Sequence, residues 1–123
     1  MQTNDFDYDA IFYECFYNFE RRTEFMEKYF EDLTAIRQHF INYLYDYELN
    51  ELTYIPMGFK NHIFWNCAHA LVTQQLMTYY LSGNEMLVEN DWVMRFKKGS
   101  FGDQNLNDED VRTLIKLLQT TQV

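Results

Sequence analysis

Glycine and proline are scarce in this sequence, and their scarcity argues against one large fold class. The 123 residues include only four glycines and one proline. A sandwich or barrel of many short strands usually needs such residues at its tight turns. The length fits one compact domain, and hydrophobic residues, 47% of the chain, supply enough apolar surface for a core. We therefore predict a single all-α domain over residues 1–123.

Long apolar runs and secretory signals are also missing. No segment approaches the roughly 18 apolar residues that span a bilayer, and the first ten residues show neither the basic nor the apolar region of a signal peptide. We expect a cytoplasmic protein with no membrane partner. The two cysteines, Cys15 and Cys67, lack CxxC spacing, so we expect reduced thiols that contribute to packing.

Positive charge is the third scarcity. The chain has 10 Lys and Arg against 19 Asp and Glu, a formal net charge of -9. Residues 1–55 contain 12 acidic and 4 basic side chains, net -8, and residues 56–123 contain 7 acidic and 6 basic side chains, net -1. The sequence shows no basic stripe, and a field of this sign repels phosphate backbones. We expect no nucleic-acid partner.

Helical periodicity dominates the first half of the chain, where apolar side chains recur at steps of three and four residues. One uninterrupted helix would be longer than a small domain is wide, so we predict two helices with a break near Asp32 to Thr34. Arg37 interrupts the apolar stripe. The stripe predicts core packing or a coiled-coil-like seam. Its apolar members are Phe12, Phe16, Phe19, Met26, Phe30, Leu33, Phe40, Leu44 and Tyr47.

Proline and glycine place the next helix. We predict a connection over 46–59, because Pro56 disfavours helix at the residue before it and Gly58 permits a positive φ. A helix over 61–81, with Asn61 as N-cap, should follow and end at the Ser-Gly-Asn turn.

Two further helices are predicted near the end of the sequence. A weaker helical segment covers 89–97, and a last helix covers 109–119, where Asn107 or Asp108 can act as N-cap. We assign no internal repeat.

The three histidines are the first candidates for chemistry. His62 and His69 are seven residues apart, about 10.5 Å along a helix axis, which is too far for both to bind one metal ion readily. His69 shares a helix face with Trp65 and Val72, and on this basis we expect a semi-buried ring that is hydrogen-bonded to a carbonyl or carboxylate. His62 is expected near the mouth of the same face, about two turns away, and His39 is expected in solvent.

Other reactive groupings are weak. Cys67 has no histidine placed beside it by helical spacing, so we assign no catalytic nucleophile. The acidic residues 108–110 suit the first turn of a helix. Gln74 and Gln75 lie within an apolar helix, where either one satisfies a buried partner or both are exposed.

Four motifs appear in order in the second half: IPMGFKN at 55–61, WNCAH at 65–69, TQQ at 73–75 and KGS at 98–100. Together they resemble the DinB-like helical bundle family, best over 54–100 and more broadly over 33–118. The resemblance implies an up-and-down four-helix bundle, usually dimeric, with relatives that include thiol-dependent S-transferases and isomerases. The resemblance also implies a divalent metal, zinc or nickel, bound by one histidine of the WNxxH helix and two of a later HxxxH motif.

Only His69 matches one of those ligands, because no histidine follows it in this sequence. We therefore expect a DinB-like bundle that lacks the usual C-terminal helix, with weak metal binding by this chain alone. Residues 1–30 form an acidic, aromatic segment without a clear counterpart in the family. Either the chain is truncated, or this segment replaces the missing helix, or a partner chain supplies that helix.

Two functions remain open from the sequence. One is a metal-binding or thiol-dependent transferase relative with an incomplete metal site and an unidentified small-molecule or thiol substrate. The alternative is a non-catalytic helical protein that acts through interaction or dimerisation. We predict a homodimer whose interface includes the aromatic stripe of the N-terminal half.

Overall fold

A computed structural model describes the backbone of residues 8–102 and 105–121, and the side chains of these residues except 8–20, 22 and 25. The described residues contain helices and no strand, which confirms the predicted all-α class. None of their helices is long and apolar enough to cross a membrane. The chain divides into two compact units with the boundary after Ile36. The helices are α1 (Tyr8–Asp46), α2 (Leu49–Leu52), α3 (Ile63–Gln75), α4 (Asn90–Phe96) and α5 (Asp108–Thr120), and a π-helical turn (Leu76–Tyr80) continues α3.

The predicted break at Asp32 to Thr34 is wrong, because α1 runs through it. The Thr34 hydroxyl donates to the carbonyl oxygen of Phe30 at 2.8 Å, four residues back in the same helix. A side chain bonded in this way follows the helical ladder and does not cap a new helix.

Within the first unit, α1 carries a stripe of large apolar side chains that are about half exposed: Met26 47%, Tyr29 51%, Phe30 47% and Ile36 48%. The rings of Tyr29 and Phe30 meet edge to face, with centroids 6.2 Å apart. Core packing was therefore the wrong interpretation for Met26 and Phe30, while a seam against another chain stays a prediction. The side chains of Phe12, Phe16 and Phe19 lie outside the described residues.

The hydrophobic core belongs to the second unit, and α3 is its central element. Phe64, Ala68 and Val72 are fully buried on α3, and they follow the four-residue spacing of one helix face. The Phe64 ring lies 5.6 Å from that of Phe96 on α4. Leu114 of α5 is also fully buried. Burial of a Phe, Val or Leu side chain contributes about 1.5–3 kcal/mol.

Arg37 is the buried cation of this unit, with a side chain that is only 5% exposed. Its Nη1 donates to the carbonyl oxygen of Leu118 at 2.9 Å and to the Thr121 hydroxyl at 2.8 Å, and its Nη2 donates to the Gln74 amide oxygen. Burial lowers the pKa of Arg37, and Tyr79 partly opposes this shift. Because Leu118 lies in the last turn of α5, the guanidinium also faces the negative end of that helix dipole. Arg37 therefore joins α1, α3 and α5.

The connection between α1 and α3 is more ordered than predicted, since it contains α2. The Glu51 side chain accepts a bond from the Glu48 backbone N–H at 2.9 Å at the start of this short helix. Gly58 has a φ of +87°, as its predicted turn role requires.

The start of α5 confirms the predicted N-cap. Asn107 Oδ1 accepts from the Asp110 N–H at 2.9 Å, and the Asp110 carboxylate accepts from the Asn107 N–H at 3.1 Å. This reciprocal capping box satisfies two free donors of the first turn. Arg95 of α4 pairs with the same Asp110 carboxylate at 3.4 Å, which connects α4 to α5.

Candidate functional site

His62 begins α3, and the structure corrects its predicted place. Its Nδ1 accepts from the Trp65 backbone N–H at 2.9 Å, so His62 and not Asn61 is the N-cap. The side chain is 1% exposed and does not lie at the mouth of a face. The Asn61 Oδ1 atom is buried and has no hydrogen-bond partner among the described residues.

His69 lies two turns further along α3 and is half-buried. Its Nδ1 is 2.7 Å from the carbonyl oxygen of Phe96, and its Nε2 is 3.4 Å from the Thr73 hydroxyl. The carbonyl can only accept, so Nδ1 carries a proton and donates it. In the neutral ring the lone pair is consequently on Nε2. This confirms the expected carbonyl bond.

The ring of His69 is held by stacking as well as by hydrogen bonding. It lies on the Trp65 ring, with centroids 4.3 Å apart and planes at 13°. The Trp65 Nε1–H donates to the Ser100 hydroxyl at 2.9 Å, and that hydroxyl donates to the carbonyl oxygen of Lys97 at 2.7 Å. Gly99, with a φ of +90°, forms the turn between them. The WNCAH and KGS motifs therefore meet in space and position one imidazole.

The described residues supply a single imidazole at this place. Among them, no group of three or more His, Cys, Asp and Glu side chains could hold a metal ion. His39 is exposed, and His62 uses its Nδ1 in the cap. A zinc site in proteins takes four ligands, three of them from the protein when it is catalytic. The described residues thus do not fit a complete divalent site, and no reaction step follows from them.

Cys67 lies between Trp65 and His69 in the sequence but on another face of α3. It is 2% exposed, and burial raises its pKa from 9.0 to about 12. A thiol without an opposing positive charge stays protonated and unreactive at neutral pH. The structure thus gives Cys67 the packing role expected of it. The side chain of Cys15 lies outside the described residues.

The two glutamines of the TQQ motif are structural. Gln74 accepts from Arg37, and Gln75, fully buried, accepts from the Leu87 backbone N–H at 2.8 Å. The Gln75 Nε2 has no hydrogen-bond partner among the described residues. The sequence places Arg37 in an apolar stripe, and its pairing with Gln74 was not predicted. The pairing could have been predicted, because buried polar side chains in apolar helices need hydrogen-bond partners and can supply them to each other.

A separate open groove of about 660 Å³ lies between the end of α1, α2 and the start of α5. Leu44, Leu52, Val111 and Ile115 line it together with the tyrosines Tyr45 and Tyr47. No residue of α3 lines it, so this groove and the His69 ring are different places.

Comparison with known families supports the motif interpretation. The family model described as the DinB superfamily matches residues 32–122. The chain belongs to the DinB superfamily. No curated protein and no solved structure matches the chain.

Proposed function

We propose that this DinB-superfamily chain presents His69 as one ligand of a divalent zinc or nickel site. Residues outside the described ones, or a second chain, would complete the site. Thiol-dependent transfer is the reaction class that the family resemblance attaches to such a site.

The observation that carries this proposal is the bond between His69 Nδ1 and the Phe96 carbonyl oxygen, at 2.7 Å. Metal-binding histidines in proteins almost always donate their second ring N–H to a carbonyl or carboxylate. That bond selects the tautomer with the lone pair on Nε2, which the Thr73 hydroxyl faces at 3.4 Å. The stacked Trp65 ring fixes the orientation of the imidazole further. His39, which is exposed, serves as an internal comparison.

Titration with Ni²⁺, followed by NMR of the histidine ring signals, tests the proposal. We expect the His69 signal to respond at the lowest metal concentration, with weak affinity, because one imidazole contributes little binding. His69→Ala should remove that response, and His39→Ala should leave it unchanged. A response confined to His39, or one that survives in His69→Ala, contradicts the proposal.

A second function is favoured by a different observation, the half-exposed apolar stripe on α1. We propose that this stripe mediates self-association and that the chain acts as a homodimer. Met26, Tyr29, Phe30 and Ile36 fall on one helix face, as a continuous interaction surface requires. Exposed apolar patches of this kind mark interaction surfaces in soluble proteins.

Sedimentation of the wild-type chain over a concentration series tests self-association. We expect a dimer, and we expect Phe30→Glu to shift it to monomer. Met94→Glu is the matched control, because Met94 is 53% exposed on α4, outside the stripe. Circular dichroism would show that Phe30→Glu keeps its helix content. A wild-type chain that stays monomeric at high concentration contradicts this second function.

A further inference from the structure

Two loops at the start of α3 lie against each other and carry exposed apolar side chains. A Cβ atom on Gly102 would lie 3.3 Å from Ile55 Cδ1 and 3.1 Å from His62 Cδ2, so the loop after α4 touches the loop before α3. The bond from Trp65 to Ser100 also joins the loop after α4 to the first turn of α3. The exposed apolar residues of the two loops are Tyr54 (65%), Met57 (98%), Phe59 (70%) and Phe101 (74%).

Within segments 54–63 and 96–102 of these loops the charge is positive only, and the next residue in the sequence after the second segment is Asp103. Segments 54–63 and 96–102 contain Lys60, Lys97 and Lys98, all exposed, and no acidic residue. The chain as a whole has a net charge of -9, so this concentration of lysines is a local reversal of sign. We call these three lysines and the four exposed apolar residues the basic loop surface. Apolar groups surrounded by cations suit a partner that is both apolar and acidic.

The chain itself contains such a surface. On α1, Met26, Tyr29 and Phe30 form part of the exposed apolar stripe, and at 100° per residue Glu27 borders it on one side and Asp32 on the other. We call the stripe with these two carboxylates the acidic stripe. Residues 1–36 hold 9 acidic and 3 basic side chains, so its wider field is also negative.

We propose that the basic loop surface of one copy binds the acidic stripe of a second copy. The inference rests on the self-association proposed above and specifies the two surfaces that meet. Both carry exposed apolar side chains, and their charges are opposite. A seam of one acidic stripe against another would instead bring like charges together, which disfavours association.

Charge reversal with exchange tests the pairing. In the full chain, the triple variant K60E, K97E and K98E should raise the dimer dissociation constant about tenfold or more, since three lysines that attract the two carboxylates of the acidic stripe become repulsive. Adding E27K and D32K to the same chain should restore most of the affinity. Lys116→Glu is the matched control, since Lys116 is an exposed lysine on α5, outside both surfaces, and it should leave the dimer unchanged. Added salt should weaken the wild-type dimer.

The outcomes separate the two proposals. If the triple lysine variant dimerises like wild type while Phe30→Glu is monomeric, self-association stands and the basic loop surface is not its counterpart. If E27K and D32K give no recovery in the triple variant, the pairing is also overturned. A wild-type chain that is monomeric at every concentration overturns both self-association and the pairing of the two surfaces. The same holds if such a monomer binds anionic vesicles through the three lysines.

Discussion

The carbonyl oxygen of Phe96 accepts a hydrogen bond from His69 Nδ1 across 2.7 Å, and this bond connects the end of α4 to the middle of α3. The two residues are 27 positions apart in the sequence. The bond uses a carbonyl at the C-terminus of α4 that would otherwise lack an intrahelical partner. The histidine that we propose as a metal ligand thus has a structural role as well.

Replacement of His69 should therefore cost stability. His69→Ala removes the bond to Phe96 and the stacking on Trp65, and we expect a loss of about 1–3 kcal/mol in the free energy of unfolding. His39→Ala, at an exposed position, should change it by less than about 0.5 kcal/mol. Urea denaturation followed by circular dichroism measures both. Equal effects of the two substitutions would show that the Phe96 bond contributes nothing.

Among the cationic residues, Arg37 should be the one whose replacement lowers the free energy of unfolding most. Arg37→Ala leaves the Leu118 carbonyl, the Thr121 hydroxyl and the Gln74 amide oxygen without their donor, and we expect a loss of about 2–4 kcal/mol. Arg37→Lys keeps the charge but lacks the planar fork that reaches three acceptors, so its loss should be intermediate. Lys116→Ala is the surface control. A destabilisation no larger than that control, measured by urea denaturation, would contradict the assigned role.

Local signals in the sequence predicted α5 and its Asn107 cap, because the capping residue, the acidic first turn and the apolar spacing lie within a few positions of one another. The same reasoning predicted the helical course of α3. His62 was missed as the N-cap, since an imidazole nitrogen is an uncommon acceptor at that position and Asn61 is a preferred one.

Features that depend on distant residues were not predictable in this way. Arg37 contacts residues 37, 81 and 84 positions away, and spacing along one helix carries no information about them. The continuity of α1 through Thr34 was also not predicted, because a helix of this length exceeds the width of a small compact domain. The WNCAH and KGS motifs were known from sequence, but only the fold shows that Trp65 and Ser100 bond.

Cys67 should resist thiol reagents in the folded protein. Burial raises its pKa to about 12, so almost no thiolate forms at pH 8, and a bulky reagent cannot reach a side chain that is 2% exposed. In a Cys15→Ser background we expect labelling at pH 8 only after unfolding in urea. Rapid labelling without denaturant would contradict the burial of this residue.

The same thiol predicts a sign for the dependence of stability on pH. The pKa of the Cys67 thiol is higher in the folded protein than in the unfolded chain. The contribution of this thiol to the free energy of unfolding is therefore fully present below about pH 9 and is lost as the pH rises towards about 12. Cys67→Ala should show a weaker decline than the Cys15→Ser parent over that range. Urea denaturation of both proteins at pH 8 and pH 10 gives the comparison.

A side chain at Gly102 should destabilise the protein, because there is little space for it. A Cβ atom there would lie 3.1 Å from His62 Cδ2 and 3.3 Å from Nε2, and the His62 ring cannot move easily because it is buried and caps α3. We expect Gly102→Ala to destabilise the protein by about 1–3 kcal/mol, as overpacking does. Gly58→Ala is the comparison, because its destabilisation would have a different cause. A Cβ atom there meets nothing within 4 Å, and only the φ of +87° opposes it. If steric contact with the ring is the cause, His62→Ala should reduce the cost of Gly102→Ala, whereas the cost of Gly58→Ala should stay the same. Additive losses for His62→Ala and Gly102→Ala in a double-mutant cycle would contradict that cause.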